Sequence, residues 1–273
     1  MEDLRSTVEL SNGVRMPWLG FGTYKIPPGR GTFEAVRTAL EAGYRHIDTA
    51  SYYRNEADVG RAIRESGVPR EEVFVTTKLW NDEQGYREAH RAFRSSLDRL
   101  NMDYVDLYLI HWPVSGKYKD SWRALEEIHD DGGARAIGVS NFMIEHLEDL
   151  NDSVQVRPAV DQVEFHPHLY LGNLLEYCRN QAIQPEAWSP LKQGCLPGDL
   201  QLEEIGSRHG KTGAQVAIRW VLQHGLVAIP RTVRGEHMVE NAEVFDFRLT
   251  EEEMRRVDSM DRRERVGPDP YSF

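Results

Sequence analysis

Short apolar runs alternate with amphipathic stretches along the whole chain, and this alternation sets the first expectations. The runs are "WLGFGTY" (18–24), "HIDTA" (46–50), "VFVTTKLW" (73–80), "VDLYLIHW" (105–112), "RAIGVSN" (135–141), "AVDQVEF" (159–165), "IQPEAWS" (183–189) and "LVAIP" (226–230), each read as a strand. Between them, stretches such as "TFEAVRTALEAGY", "NEADVGRAIRESG", "REAHRAFRSSLDRL" and "SWRALEEIHDDGG" carry apolar residues at helical spacing. Several close on glycine, which suits a helix C-terminus.

Eight such units in series predict either a closed (β/α)8 barrel or a doubly wound open sheet. The first run holds "GFGTYK", a G-x-G without the third glycine and without a following helix pattern, so it fails as a dinucleotide-binding fingerprint. The expectation is therefore an α/β protein with the TIM-barrel fold. Ahead of it, "TVELSNGVRMP" (7–17) reads as a β-hairpin with an Asn-Gly turn that closes the bottom of the barrel. No proline-rich or charge-rich linker divides the chain, so one domain spanning residues 1–273 is expected.

A chain of 273 residues can bury a large core without a disulfide or a structural metal. The two cysteines, Cys178 and Cys195, form no metal spacing and point to a reducing compartment. "MEDLRSTVEL" is charged where a signal peptide would be apolar, and no run of ~18 apolar residues occurs, so a cytoplasmic protein is expected. The net charge of −11 argues against nucleic acid or an anionic membrane as partner. Of the 33 basic residues 27 are arginine, which a codon bias explains more simply than adaptation to salt or heat. With only 6 lysines, each one is conspicuous.

The candidate chemistry sits where the apolar runs end. Asp48 closes the second, Lys78 the third, and His111 with Trp112 the fourth. Ser140 and Asn141 close the fifth, Gln162 and Glu164 the sixth, Trp188 the seventh, and Arg231 follows the eighth. In a barrel these strand ends share one rim, the face that carries the active site. Taken singly, each has an ordinary explanation. Lys78 could snorkel past its strand end, Asp48 could cap the following turn, and His111 could be a core histidine. Together, a desolvated ammonium, a neighbouring carboxylate and a histidine on one rim suggest a catalytic group.

The pattern resembles the aldo-keto reductase family, and the resemblance covers nearly the whole chain. "GYRHIDTASYYRNEADVG", "VFVTTKLWN", "DYVDLYLIHWP", "AIGVSNF", "QVEFHP", "EAWSPL" and "IPRTVRGEHMVEN" follow in the family's order. They look most like the short prokaryotic type, similar to the 2,5-diketo-gluconate and glyoxal reductases. The resemblance implies a catalytic tetrad of Asp48, Tyr53, Lys78 and His111. Of the two adjacent tyrosines it selects Tyr53, which precedes the x-N-E opening the next helix, and leaves Tyr52 as a packing residue. A phenol titrates near 10, and Lys78, held by Asp48, is expected to lower that value. Tyr53 would then protonate the carbonyl oxygen while a reduced nicotinamide delivers hydride, with His111 orienting the carbonyl.

The resemblance also implies an NADP(H) site, with weaker use of NAD(H). Trp188 would stack on the nicotinamide, and Ser140, Asn141 and Gln162 would hold its carboxamide. Gly22, Thr23, Ser189, Leu191 and Gly194 join the cofactor contacts, the last three from "SPLKQGCLPG", whose amides would face the pyrophosphate. Arg231, Thr232, Val233 and Arg234 would surround the 2′-phosphate, and Glu240 and Asn241 the adenine. His237 stands where relatives commonly carry arginine, which weakens one clamp. The pocket walls are expected from Tyr24, Trp80, Trp112 and the tail "RRERVGPDPYSF". No metal is expected, since His166 and His168 of "EFHPHLY" lack a third ligand. The partners expected are small carbonyl compounds taken by a monomer, with broad scope because the loops after the fourth and seventh strands are short. Two other readings fit these residues less well. A non-catalytic nicotinamide-binding regulatory subunit is disfavoured by the intact tetrad. A barrel hydrolase using Asp48 and Glu164 leaves Lys78 without a role.

Overall fold

The computed structural model describes residues 1–273. Two short strands come first, β1 (Thr7–Glu9) and β2 (Arg15–Pro17), paired antiparallel. Their turn carries Asn12 and Gly13, as expected, within a three-residue loop. Leu10 pairs with Val14, and the loop is Ser11, Asn12 and Gly13, with the Gly13 amide donating to Leu10 O and Gly13 at φ +83°. A type I turn followed by a left-handed residue has this shape, and glycine supplies that residue without strain.

Eight parallel strands follow: β3 (Phe21–Gly22), β4 (His46–Asp48), β5 (Phe74–Leu79), β6 (Val105–Ile110), β7 (Ala134–Ser140), β8 (Val160–Glu164), β9 (Gln184–Trp188) and β10 (Val227–Ile229). Each pairs with the next in sequence order. The seam closes between the chain leading into β3 and β10, where Gly20 N donates to Ala228 O at 2.8 Å and Ala228 N to Trp18 O at 3.0 Å. This is the expected barrel. The first strand is shorter than its apolar run, and Gly20 just ahead of it lies against the seam. A methyl group there would come within 2.5 Å of the His46 ring and 2.9 Å of Ile229.

Helices α1 (Arg30–Glu41), α2 (Glu56–Glu65), α3 (Tyr86–Leu100), α4 (Tyr118–Asp130), α5 (Ile144–Asn151) and α6 (Gly172–Asn180) cover β3 to β8 in turn. The crossover from β9 to β10 holds two helices, α7 (Leu200–His209) and α8 (Gly213–Gln223), which exceeds one per unit. Gly210 in the left-handed region stops α7, and Thr212 caps α8 reciprocally with Gln215. After β10 come α9 (Gly235–Ala242), α10 (Glu251–Asp258) and the tail. No helix is long and apolar enough to cross a membrane.

The core has two parts. A 57-residue layer fills the space between strands and helices. A separate plug inside the barrel joins Leu10 and Met16 of the hairpin to Phe74, Leu107, Leu109, Ala136, Val160 and Val227. Phe74, Val160 and Val227 sit at their strand starts and Leu109 above them, so the hairpin seals the bottom, as expected, and the strand ends remain for the site.

Candidate active site

Two strand ends build the centre of the rim. β4 delivers Asp48 and β5 delivers Lys78, both almost completely buried. The Lys78 ammonium donates to Asp48 Oδ2 at 2.7 Å and Oδ1 at 2.8 Å, to Thr49 O at 3.0 Å and to Tyr53 Oη at 3.3 Å. The cation is thus neutralised where it emerges, which permits its burial.

Tyr53 is set by the chain around it. Residues Ser51–Tyr53 form one 3-10 turn, ended by Arg54 in the left-handed region at φ +57°. Ser51 Oγ donates to Glu83 Oε2 at 2.8 Å, and buried Asn55 accepts from Thr49 Oγ1 and donates to Thr23 O. One tyrosine is consequently turned inward and the other outward. Tyr52 is 48% exposed and stacks on Trp80 with centroids 3.8 Å apart. Only Tyr53 reaches the ammonium.

The phenol's titration differs from expectation. Burial pushes the Tyr53 pKa well above its usual 10.0, and the Asp48 carboxylate raises it further. Lys78 does not reverse this because its charge is already paired with Asp48. The expected lowering is therefore not what this environment produces. The His111 imidazole moves the opposite way. Burial, then the Lys78 charge, hold its pKa well below 6.5, so the ring is neutral at physiological pH. Its edge faces the Tyr53 ring, with centroids 5.7 Å apart.

Below the pair lies a group that sequence reasoning overlooked. Gln162 Nε2 donates to Asp48 Oδ2 and to Glu186 Oε2, each at 2.9 Å. Glu186 is fully buried, and burial followed by the Asp48 carboxylate pushes its pKa to about 8. Its position was visible in principle: on β9, residues 184, 186 and 188 share a face by alternation, so Glu186 follows Trp188 inward.

A cavity of about 760 Å³ opens above these groups, within the range of small-molecule sites. Every predicted site residue lines it except Thr23 and Lys78. Lys78 lies beneath the surface. Thr23 is buried with its hydroxyl donated to Asp48 O at 2.8 Å, so it supports the rim and does not face a ligand. The end nearest Tyr53 and His111 is walled by Tyr24, Trp80, Trp112 and the tail, whose Phe273 stacks on Trp112 at 4.5 Å. From there the cavity runs past Trp188, the loop after β9 and Arg231–Arg234 to Glu240 and Asn241.

This elongated half fits a dinucleotide in most respects. Arg231 and Arg234 are exposed at its rim and form no ion pair. Gln162 directs its NH2 to the two carboxylates, which leaves its Oε1 as an acceptor for a carboxamide. Asn141, at φ +65°, departs from expectation. Its Oδ1 accepts from Trp188 Nε1 at 2.8 Å, and its Nδ2 donates to His111 O and Ser140 Oγ. Ser140 Oγ in turn donates to Gln162 O at 2.8 Å. In the loop after β9, the amides of Lys192, Gly194 and Cys195 donate to local carbonyls, so they are not available as a group for phosphate.

His166 and His168 are occupied separately. His166 meets Glu164 at 3.1 Å, and His168 Nδ1 lies 2.9 Å from the Lys192 ammonium. Glu164 faces the tail, where it accepts two backbone N–H groups. This accounts for its carboxylate without a hydrolytic role.

Comparison with known proteins places the chain in a known family and fold. The model of the Aldo/keto reductase family matches residues 19–262. A glyoxal reductase of Bacillus subtilis (strain 168) is 52% identical over 267 residues, covering 98% of this chain and 97% of the relative. A 9,11-endoperoxide prostaglandin H2 reductase of Trypanosoma cruzi (strain CL Brener) is 51% identical over 269 residues, covering 97% and 95%. Among solved structures, a Bombyx mori aldo-keto reductase in complex with NADP superposes with TM-score 0.91 at 33% identity, covering 96% of this chain and 95% of that one.

Proposed function

The chain belongs to the aldo/keto reductase family, and we propose that it is an NADPH-dependent carbonyl reductase, a single-domain cytoplasmic monomer acting on small aldehydes, α-dicarbonyls and aromatic aldehydes. The observation that carries the reading is the Lys78–Asp48 pair at 2.7 Å with the Tyr53 hydroxyl 3.3 Å from the same ammonium. The glyoxal reductase relative supports the substrate class, and the NADP-bound neighbour supports the cofactor.

When bound, reduced nicotinamide supplies hydride to the carbonyl carbon. The chain's part is to hold the carbonyl and to provide the proton. Tyr53 keeps its proton at neutral pH because burial and the Asp48 charge raise its pKa. That suits a donor. An alkoxide is a stronger base than a phenolate, so proton transfer to it from Tyr53 is downhill. The phenolate left behind sits within reach of the Lys78 ammonium, which stabilises it. Neutral His111 offers an N–H to the carbonyl oxygen without adding a positive charge, so it polarises the bond and orients it.

For the cofactor, Trp188 would supply a flat face and Gln162 Oε1 an acceptor, while Asn141 holds the Trp188 indole N–H and Ser140 the Gln162 backbone carbonyl, so that both residues brace the surface the nicotinamide would meet. Gly22, Ser189, Leu191 and Gly194 line the cavity along its path; Arg231, Thr232, Val233, Arg234 and His237 would hold the 2′-phosphate, and Glu240 and Asn241 the adenine. NADH is used more weakly. Incubating the purified chain with NADPH and an aromatic aldehyde should consume the near-ultraviolet absorbance of NADPH and yield the alcohol stoichiometrically. No consumption with any aldehyde or α-dicarbonyl would contradict the proposal.

A further inference from the structure

Glu164 ends β8 as a fully buried carboxylate, and the reaction proposed above leaves it without a task. Its partners lie about a hundred residues away in the tail. Glu164 Oε1 accepts from Val266 N at 2.5 Å and Oε2 accepts from Gly267 N at 3.1 Å, while His166 Nε2 lies 3.1 Å from Oε1. A buried carboxylate needs such donors, and hydrogen bonds to an ion are about twice as strong as neutral ones. Both oxygens are therefore committed to the tail backbone.

What the tail does at that point follows from register. Glu164 and Trp188 are partners across β8 and β9, so the segment bound to the one lies over the other. Gly267 rests on the indole so closely that a methyl group would come within 2.5 Å of Trp188 Cη2. Beyond this contact Val266, Gly267 and Pro268 face the cavity, and Phe273 reaches Trp112 on the opposite wall. Upstream, Arg262 N and Glu264 N donate to His168 O at 3.2 and 3.1 Å. Lys192, from the loop after β9, pairs with Glu264.

We propose that Glu164 is a positioning residue for the carbonyl site. It pins residues 266–267 across the ends of β8 and β9, so that one buried carboxylate sets the tail wall against the substrate and seats Gly267 on the Trp188 ring. The tail wall and the Trp188 face then form one assembly. A substrate large enough to touch the wall depends on Glu164, and a very small one does not. This inference rests on the carbonyl-reductase reading, but its first readout does not need turnover.

The test compares wild type, Glu164→Gln and Gly267→Ala as full-length chains. Glutamine keeps the volume and one acceptor oxygen but loses the charge and one tail bond. Hydrogen exchange followed by mass spectrometry should show residues 262–273 exchanging about ten- to a hundredfold faster, the equivalent of one charge-assisted bond, with protection elsewhere unchanged. In kinetics, KM for an aromatic aldehyde should rise about tenfold or more with kcat changed less, and KM for methylglyoxal should move only slightly. Gly267→Ala keeps the carboxylate and displaces the tail from the indole, so it should reproduce the KM pattern with an altered tryptophan emission. If Glu164→Gln does not fold, Gly267→Ala decides by the same two readouts. Unchanged tail exchange, unchanged aromatic KM, or an even loss of protection and turnover over the whole molecule would each overturn the inference. A wild type without carbonyl turnover would instead overturn the functional reading, leaving the exchange data to judge the clamp.

Discussion

Removing the ammonium of Lys78 tests how the rim is held. Lys78→Met keeps much of the side-chain volume, and Lys78 is fully buried, so the change deletes the cation without opening the site to water. Asp48 then keeps only the Gln162 Nε2 donor at 2.9 Å and loses two bonds of 2.7 and 2.8 Å. Breaking a buried pair from one side costs about 3–5 kcal/mol, because the remaining charge stays in a low dielectric. Asp48→Asn leaves the ammonium with neutral acceptors only, the amide oxygen of the new side chain, Thr49 O and the Tyr53 hydroxyl, and this uncompensated buried charge should cost a similar amount. The double variant has no unpaired charge and should be less destabilised than the sum of the two. The coupling should be about 2–3 kcal/mol, at the top of the range for residues in contact. Urea unfolding at constant m-value reads it directly. Turnover should stay low in all three variants, which separates holding the fold from serving Tyr53. Additivity within about 0.5 kcal/mol would show that the two charges do not depend on each other, and the reasoning would fail.

Three further outcomes are expected. Wild type should prefer NADPH over NADH in kcat/KM by roughly ten- to a hundredfold, about one charge-assisted bond. Arg231→Gly should erode that ratio, and His237→Arg should tighten NADPH alone, both read from steady-state kinetics. Thermal unfolding should report Glu186. Its folded pKa of about 8 lies above its ordinary 4.5, so the native state holds a proton that the unfolded chain releases. The stability it contributes is therefore complete below about 4.5 and lost as pH rises through about 8. Wild-type Tm should fall across about pH 6.5 to 8, and Glu186→Gln should flatten the fall. Parallel slopes would refute the assignment. His46, whose pKa burial lowers from 6.5 to about 3, acts only below that window.

The barrel was legible because strand and helix patterns alternate at most units, and fully buried strands such as "VDLYLI" read as continuous apolar runs. The rim was legible because function-bearing residues fall at strand ends. What could not be read is what those side chains do with one another. The sequence places Lys78 near Tyr53, but the direction of the phenol's shift is set first by its burial and then by the nearby Asp48 carboxylate, and neither is written in the local sequence. Thr23 sits among cavity residues in sequence, yet its hydroxyl faces a backbone carbonyl of β4. The Glu164 clamp joins positions about a hundred residues apart, and no local periodicity announces such a contact. Glu186 is masked by its neighbour: in "EAWSPL" the aromatic Trp188 is the conspicuous residue, while alternation turns both side chains inward.

The central claim is that Tyr53, and not its neighbour, gives the proton. The direct measurement is NADPH-dependent reduction of an aromatic aldehyde by wild type, Tyr53→Phe and Tyr52→Phe, with cofactor binding followed by fluorescence. Losing a positioned acid costs ~10²–10⁴-fold in rate, so kcat should collapse in Tyr53→Phe while NADPH still binds. Tyr52→Phe should remain within a few-fold of wild type, since its ring is 48% exposed and only stacks on Trp80. An active Tyr53→Phe beside a dead Tyr52→Phe would contradict the account.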